Sequence, residues 1–454
     1  MFARRILVSI ALALVAGPTS AQSVFLAETN LRDACFNNEL TMKLQGTISV
    51  QQDGKSLTIP RTALATHQYV ERILDVKDAA GERSARFYNR AEATITDNKE
   101  SYKVALRASH ALLVAHRVKD QLIVYHPADA LNREEMEIAS HLDSLAIPGL
   151  LPGKEIKVGE SWAISKAVTQ ALADLNAVEK SDLTGRLDKI EGDFAFLSFR
   201  GLIQGVDMAA PVQLMIKDAT AVFNLKVKRL VQVDWKVSDQ RQQGPVSPAL
   251  TADVHFQLKR VPMEIPNQLG DIALVKVPLG APPTSLTNLA YRNARKGFEF
   301  QYSREWHVVS QTDDGKIVLR LVDARGEFIA QCSVTPWQKV DPKNQMKLVD
   351  FAKLMRDSKG WAQKDGPALE ESDRLRSPTG LTLFRVTAEG KLAGVDAVRS
   401  FYLVATPAGD QVLVDFTMLP AQAAKLEGRD LTMVQSMQFF EAGRIEAVPV
   451  GNSK

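Results

Sequence analysis

VPLGAPPTSLTN, residues 277–288, decides how the rest of the chain is read. Pro278, Pro282 and Pro283 lack backbone donors and push the residues before them toward extended geometry, so neither a helix nor a central strand runs through the stretch. With Pro262 and Pro266 just upstream, it reads as a hinge between a longer β-rich body and a shorter α/β one. A chain of 454 residues also exceeds what a single core usually supports. The expected organisation is a signal segment over 1–21, a β-rich domain over 22–270, a Pro-rich linker over 271–288, an α/β domain over 289–443 and a tail over 444–454.

The composition, 45% hydrophobic and 24% charged, is that of a globular protein. Met1–Ala21 has the form of an export signal: Arg4 and Arg5, the apolar run Ile6–Ala16, then the small residues Thr19-Ser20-Ala21. That run is too short to span a bilayer. No Cys follows the expected cut, which removes the usual bacterial lipid attachment, so the mature chain is expected to be periplasmic or secreted and not membrane-spanning; the alternative is an uncleaved N-terminal anchor. Without Arg4 and Arg5 the chain has 54 basic against 53 acidic residues, a balance that offers no electrostatic footprint for nucleic acid or an anionic membrane. Lys226, Lys228 and Arg229 read as the solvated edge of a strand.

Cys35 and Cys332 are the two cysteines, one on each side of the hinge. An oxidising compartment allows them to pair; against this, Cys332 is in register with Phe328, Ala330 and Val334 on an apolar strand face, the setting of a buried, inert thiol. Sequence leaves both alternatives open.

Leu40–Val50 alternates with period two, Leu40, Met42, Leu44, Ile48 and Val50 facing one way, as a half-buried antiparallel strand does. Similar alternation at Ala91–Thr96, Tyr102–Leu106 and Leu112–Tyr125, with a turn at Lys119-Asp120, predicts a meander. A helix follows, Asn132 capping it with Glu135 answering, Ile138, Ala139, Leu142 and Leu145 as its stripe, and Pro148 past its end. After the turn-rich Leu151–Trp162, Val168, Ala171, Leu172 and Leu175 mark a second helix. Strands resume at Gly185–Glu191 and Asp193–Gly205, at Phe223–Val237 as one strand or two joined near Lys228, and at Ala252–Leu258. The expected class is α+β: an N-terminal curved antiparallel sheet with a helical insertion, able to enclose an apolar cavity. Beyond the hinge, strands at Phe298–Tyr302, Ile317–Val322, Phe328–Val334, Leu381–Ala388, Ala397–Ala405 and Val412–Leu419 predict an antiparallel sheet. Its helices are one opened by Asp341-Pro342, with Leu348, Phe351, Ala352 and Met355 inward and Gly360 as its stop, and a short one carrying Met433, Met437 and Phe440.

GFEFQYSREWHVV, Gly297–Val309, resembles the opening of PsbP-like domains, in which a Gly-Phe strand is followed by Tyr-Pro and a Trp that starts the next strand. LTMVQSMQF, Leu431–Phe439, is similar to that family's last helix. Ser303 stands where the family usually has proline. The resemblance covers roughly the last third of the chain and implies an α/β/α sandwich that docks to other proteins, with no catalytic residues. KVGESW, Lys157–Trp162, is similar to a turn of uncharacterised exported β-rich proteins, some related in shape to periplasmic lipoprotein carriers, which implies an apolar ligand.

Few residues suggest chemistry. His110, His116 and His126 fall on neighbouring strand faces, but no Cys or carboxylate joins them in a ligand spacing, and no metal is expected. Gly159-Glu160-Ser161-Trp162 lacks the second glycine of a nucleophile elbow. Glu134-Glu135 and Glu370-Glu371 are adjacent, hence divergent, and read as solvated faces; there is no phosphate or calcium loop. Of the tryptophans, Trp361 is the one expected to be exposed as an interface anchor. No catalytic residue, cofactor or metal is assigned. The chain is expected to be a non-enzymatic envelope protein that docks to an unknown envelope or secreted protein, or alternatively a carrier of a lipid-like apolar ligand in the N-terminal sheet.

Overall fold

The computed structural model describes residues 22–442, apart from 30, 53, 54, 78, 79, 119, 120, 141 and 324. The export segment, the turn expected at residues 119 and 120, and the tail lie outside the described residues. The fold is mostly antiparallel sheet, in several sheets of which none closes on itself, and it is compatible with the α+β class.

A 13-stranded sheet dominates. Its first long strand, Cys35–Gln52, lies between Lys55–Lys77 and the last strand, Ala249–Met263, so the two ends of this body are neighbours. On one side the order continues through Ala80–Asp97, Leu112–Val118 and Gln121–Tyr125, while Glu100–Ala105, expected as a successive strand of a meander, pairs with Ala80–Asp97 off this path; on the other it continues through Arg229–Arg241, Ala210–Asn224, Phe194–Asp207 and Thr184–Glu191 to Ser161–Ala163. The 23-residue Lys55–Lys77 strand, absent from the alternation reading, carries Pro60 near its start. Pro60 is tolerated since pairing with Ala80–Asp97 begins only at Arg61, leaving that side of the ladder open. Phe223–Val237 resolves into two strands, with Lys228 at a φ of 52° in the turn between them.

Helix α1, Arg133–Ser140, starts with the expected reciprocal cap: Asn132 Oδ1 accepts from the Glu135 N–H (2.7 Å) and Glu135 Oε2 from the Asn132 N–H (3.0 Å). It is shorter than its apolar stripe. Leu145 belongs to a separate 3₁₀ turn, Ser144–Leu150, which contains Pro148 rather than ending before it. Helix α2, Lys166–Ala173, is capped by Ser165. Helix α3, Thr284–Thr287, is a single turn behind Pro283.

In the C-terminal part an eight-stranded antiparallel sheet runs from Trp306–Gln311 to Trp361–Gln363, with Val395–Ala405 near its middle. Asp341-Pro342 opens only a 3₁₀ turn; helix α4 begins later, at Leu348–Arg356. Alternation along Val395–Ala405 sends Phe401 and Leu403 to Phe351 and Met355 of α4, and Tyr402 and Val404 to the cluster holding Met433 and Val434 of helix α5, Arg429–Gln435. Helices therefore cover both faces. The two segments quoted for the family resemblance lie side by side: Phe298 pairs with Phe439, and Ser436 Oγ accepts from the Gln301 N–H at 2.8 Å.

The apolar core does not stop at the proline-rich stretch. Tyr69, Tyr88, Leu113, Val124 and Leu131 pack in one cluster with Leu289, Phe298, Phe300 and Trp306. Backbone bonds reinforce it: the Ala290 N–H donates to the Leu131 carbonyl (2.8 Å), Arg133 to the Arg304 and Trp306 carbonyls (3.1 and 2.5 Å), and Arg304 to those of Thr287 and Val124 (both 2.5 Å).

Beneath α1 an ion pair sits out of water, Glu71 and Arg86 each being 1% exposed. Glu71 Oε1 accepts from Arg86 Nε (2.8 Å), Ser84 (2.8 Å) and Ser144 (2.7 Å). Burial alone would raise the Glu71 pKa, but Arg86 and the two hydroxyls hold it below the usual range.

Two outcomes follow. Removing one partner by Arg86→Met strands a buried carboxylate and lowers unfolding free energy by about 3–5 kcal/mol in urea titration, whereas Glu71→Leu/Arg86→Met loses less. Because the folded pKa of Glu71 is depressed, its contribution is present above the unfolded value of about 4.3 and is lost as pH falls toward the folded one. The shared core also predicts one calorimetric unfolding transition for the whole chain; two resolved transitions would contradict it.

Candidate functional site

A helix rises about 1.5 Å per residue and a strand about 3.3 Å, so the eight residues of α1 cover only about four positions of the strands below. The apolar face is accordingly sealed at one end and open at the other. At the sealed end Leu40 is 1% exposed and His67, its cross-strand partner, bonds through Nε2 to the Ile138 carbonyl at 2.9 Å. Beyond α1, Met42, Ala65, Ala93, Ile95, Tyr102 and Val104 line a groove of about 320 Å³, walled by Ile138, Glu134 and Glu137. Small side chains make the room: Ala65 pairs with Met42 on one side and Ala93 on the other. Tyr102 is 44% exposed, and on the strands beyond it Arg61 pairs with Asp97 at 2.6 Å. Gly46 is required where the neighbouring strand comes close, since a Cβ there would come within 2.6 Å of the Ala252 Cβ. Chemically the groove has an apolar floor and a wall that carries the carboxylates Glu134 and Glu137, suited to holding a hydrocarbon chain and without a nucleophile of its own.

A larger hollow of about 790 Å³ lies on the opposite face, where Lys43, Thr62, Thr94, Asp253 and His255 stand among aliphatic residues that include Leu64 and Val237. Ion pairs and hydrogen bonds tie its polar side chains together, Lys236 to Asp218 (2.8 Å), Lys217 to Asp253 (3.4 Å) and His255 to Asp234 (2.8 Å).

The histidines are arranged differently from the sequence expectation. His110 lies in a 3₁₀ turn, Ala108–His110, rather than on the strand with His116, and it is His110 that stacks on His126, ring centres 4.7 Å apart. Both His110 nitrogens face carboxylates, Glu135 at 3.1 Å and Asp129 at 3.2 Å. His116 stands apart, opposite Ile123. Among the described residues no group of three His, Cys, Asp or Glu side chains has metal-binding geometry. Glu135 is not a solvated face: it is 1% exposed and also binds Arg107 at 2.7 Å, a role its capping position hinted at. Glu370 pairs with Arg385 (3.0 Å), and Ser161 is exposed on a short strand. Trp361 is buried, contrary to expectation, because Gly390 leaves room for its ring and Arg399 lies over it. Cys35 and Cys332 are free and buried, and burial pushes the Cys35 thiol up to about 11. Lys226 pairs with Asp193, whereas Arg229 reaches inward toward Glu28.

No protein-family model and no curated protein matches this sequence. Among solved structures, cyanobacterial PsbP from Synechocystis is similar over 36% of this chain and 99% of its own, at 14% identity and a TM-score of 0.25. The translocator domain of autotransporter NalP from Neisseria meningitidis aligns over 86% of this chain and 88% of its own, at 8% identity and TM-score 0.13. A DUF1329 family protein from Desulfovibrio piger aligns over 54% and 92%, at 11% and 0.11. At these scores the likenesses decide neither fold nor function. Among the described residues no helix is long and apolar enough to cross a membrane.

Burial depresses the His67 pKa to about 4, although its bond to the Ile138 carbonyl opposes the shift. The unfolded chain takes up that proton near about 6.5. Stability is therefore full above that value and falls as pH drops from about 6.5 toward the folded pKa. In a proton NMR titration the His67 ring is expected to stay neutral at pH 5; a ring midpoint near 6.5 would show that the seal under α1 is open.

Proposed function

We propose that this chain is an exported, non-enzymatic binding protein of the cell envelope, and that it holds a lipid-like apolar ligand in the groove beside α1. The observation that carries the reading is the trough itself: Met42, Ala65, Ala93, Ile95 and Val104 form an apolar floor that α1 is too short to cover. A hydrocarbon chain laid there would remove that floor from water, at about 25 cal/mol for each Å² covered. Export rests on the Met1–Ala21 signal pattern.

A second reading concerns the C-terminal part. Helices on both faces of its sheet, and the pairing of the Gly297–Val309 and Leu431–Phe439 segments, support a PsbP-like α/β/α sandwich that docks to a partner protein. The two readings are compatible, one module binding ligand and the other binding protein.

The experiment is titration of delipidated protein with a fluorescent fatty acid. Saturable binding is expected, with Ala93→Trp, which fills the trough, weakening it at least about tenfold while leaving the melting midpoint in place. Non-saturable binding, or equal binding by the variant, would refute the ligand reading. Affinity capture from an envelope fraction by the full chain addresses the docking reading, which loses its support if no protein is retained.

A further inference from the structure

Between residues 265 and 283 the chain carries one acid, Asp271, and one base, Lys276, among aliphatic residues and prolines. This stretch folds back on the end of the large sheet and is pinned at three points. Leu269 is fully buried, and with Leu274 it packs among Cys35, Val70 and Ala85. Asp271 meets Arg72 at 2.8 Å, and the Pro278 carbonyl accepts from Arg83. Held in this way, the turn directs Ile272, Val275 and Leu279 outward, at 93%, 79% and 94% exposed. Two more exposed aliphatic residues lie close by. Leu31 is beside Asp33, which shares Arg72 with Asp271, and Val76 is beside Asp75, which shares Arg83 with the Pro278 carbonyl.

We propose that the 271–279 turn is a membrane-insertion tip, with Ile272, Val275 and Leu279 entering the headgroup and acyl boundary of a lipid bilayer. Three features favour this occupant. The exposed side chains of the 271–279 turn are aliphatic and include no aromatic anchor of the kind that centres a protein interface, whereas a fluid bilayer conforms to separate aliphatic side chains. Its one carboxylate, Asp271, is ion-paired with Arg72, which Asp33 also engages, so the acid is held back against the sheet by the guanidinium. Lys276 has a stem long enough to keep its ammonium at the headgroups. Attachment is driven by apolar burial rather than by charge, in keeping with the nearly balanced chain, and it tolerates salt. The inference stands independently of ligand binding in the groove, whose probe assay contains no vesicles.

The test is flotation of the full mature chain with vesicles of phosphatidylcholine and phosphatidylethanolamine, at low and at high salt. Binding at both is expected, and Ile272→Ser/Val275→Ser/Leu279→Ser lowers the vesicle-bound to free ratio at least about tenfold. These side chains are so exposed that the melting midpoint stays in place. Because Cys35 and Cys332 are buried, Val275→Cys can be labelled selectively with an environment-sensitive dye, whose emission shifts to the blue on vesicles. The proposal is overturned if the unmodified chain does not float, if the triple variant floats equally, or if the dye does not respond. It is equally overturned by binding that needs anionic lipid and vanishes in salt, or by sedimentation showing that the tip instead joins two copies of the chain.

Discussion

Glu71 and Arg86 meet at 2.8 Å in a place that water does not reach, and the helical layer hangs on what surrounds them. Arg86 passes one donor to Ser144, and that hydroxyl returns its proton to Glu71, so the 3₁₀ turn after α1 is fastened to the strands through a closed ring of polar atoms. A carboxylate and a guanidinium taken out of water individually would each cost several kcal/mol. Together, with the added hydroxyls, they are stable only in one arrangement, and that arrangement sets the height and position of α1 above the sheet. Asp143, held by Arg117, repeats the device one residue earlier.

From the placement of α1 follow the two features that matter for function. One is the trough, which exists because long strands outrun a short helix. The other is the junction with the C-terminal part: Leu131, just before α1, bridges to Leu289, and Arg133 on its first turn reaches the carbonyls of Arg304 and Trp306. A helix seated differently would alter both. The proline-rich stretch is therefore less a free joint than a strap, fastened by Leu269 and Arg72 at its start and by Arg304 at its end. Between those fastenings it can afford to show aliphatic side chains to the outside.

Period-two alternation in Leu40–Val50, Leu112–Tyr125 and Ala252–Leu258 was legible because each half-buried strand writes its two environments directly into residue order. The Asn132 and Glu135 cap was legible for the same reason, being a local bond between near neighbours. What failed were judgements that depend on what lies across a gap. Glu135 reads as solvated until Arg107 and His110 are brought to it. Trp361 reads as exposed until Gly390 is placed beneath it.

Residue order alone determined the antiparallel character, the Asn132–Glu135 cap of α1 and the division of apolar from polar strand faces, since each rests on contacts within a few residues. Tertiary structure decided that one core runs through both parts, that α1 leaves half of an apolar face uncovered, and that Ile272, Val275 and Leu279 point outward while Leu269 and Leu274 point in. The reason is physical: burial is a property of pairs of surfaces, and the partner of each surface here lies tens to hundreds of residues away along the chain.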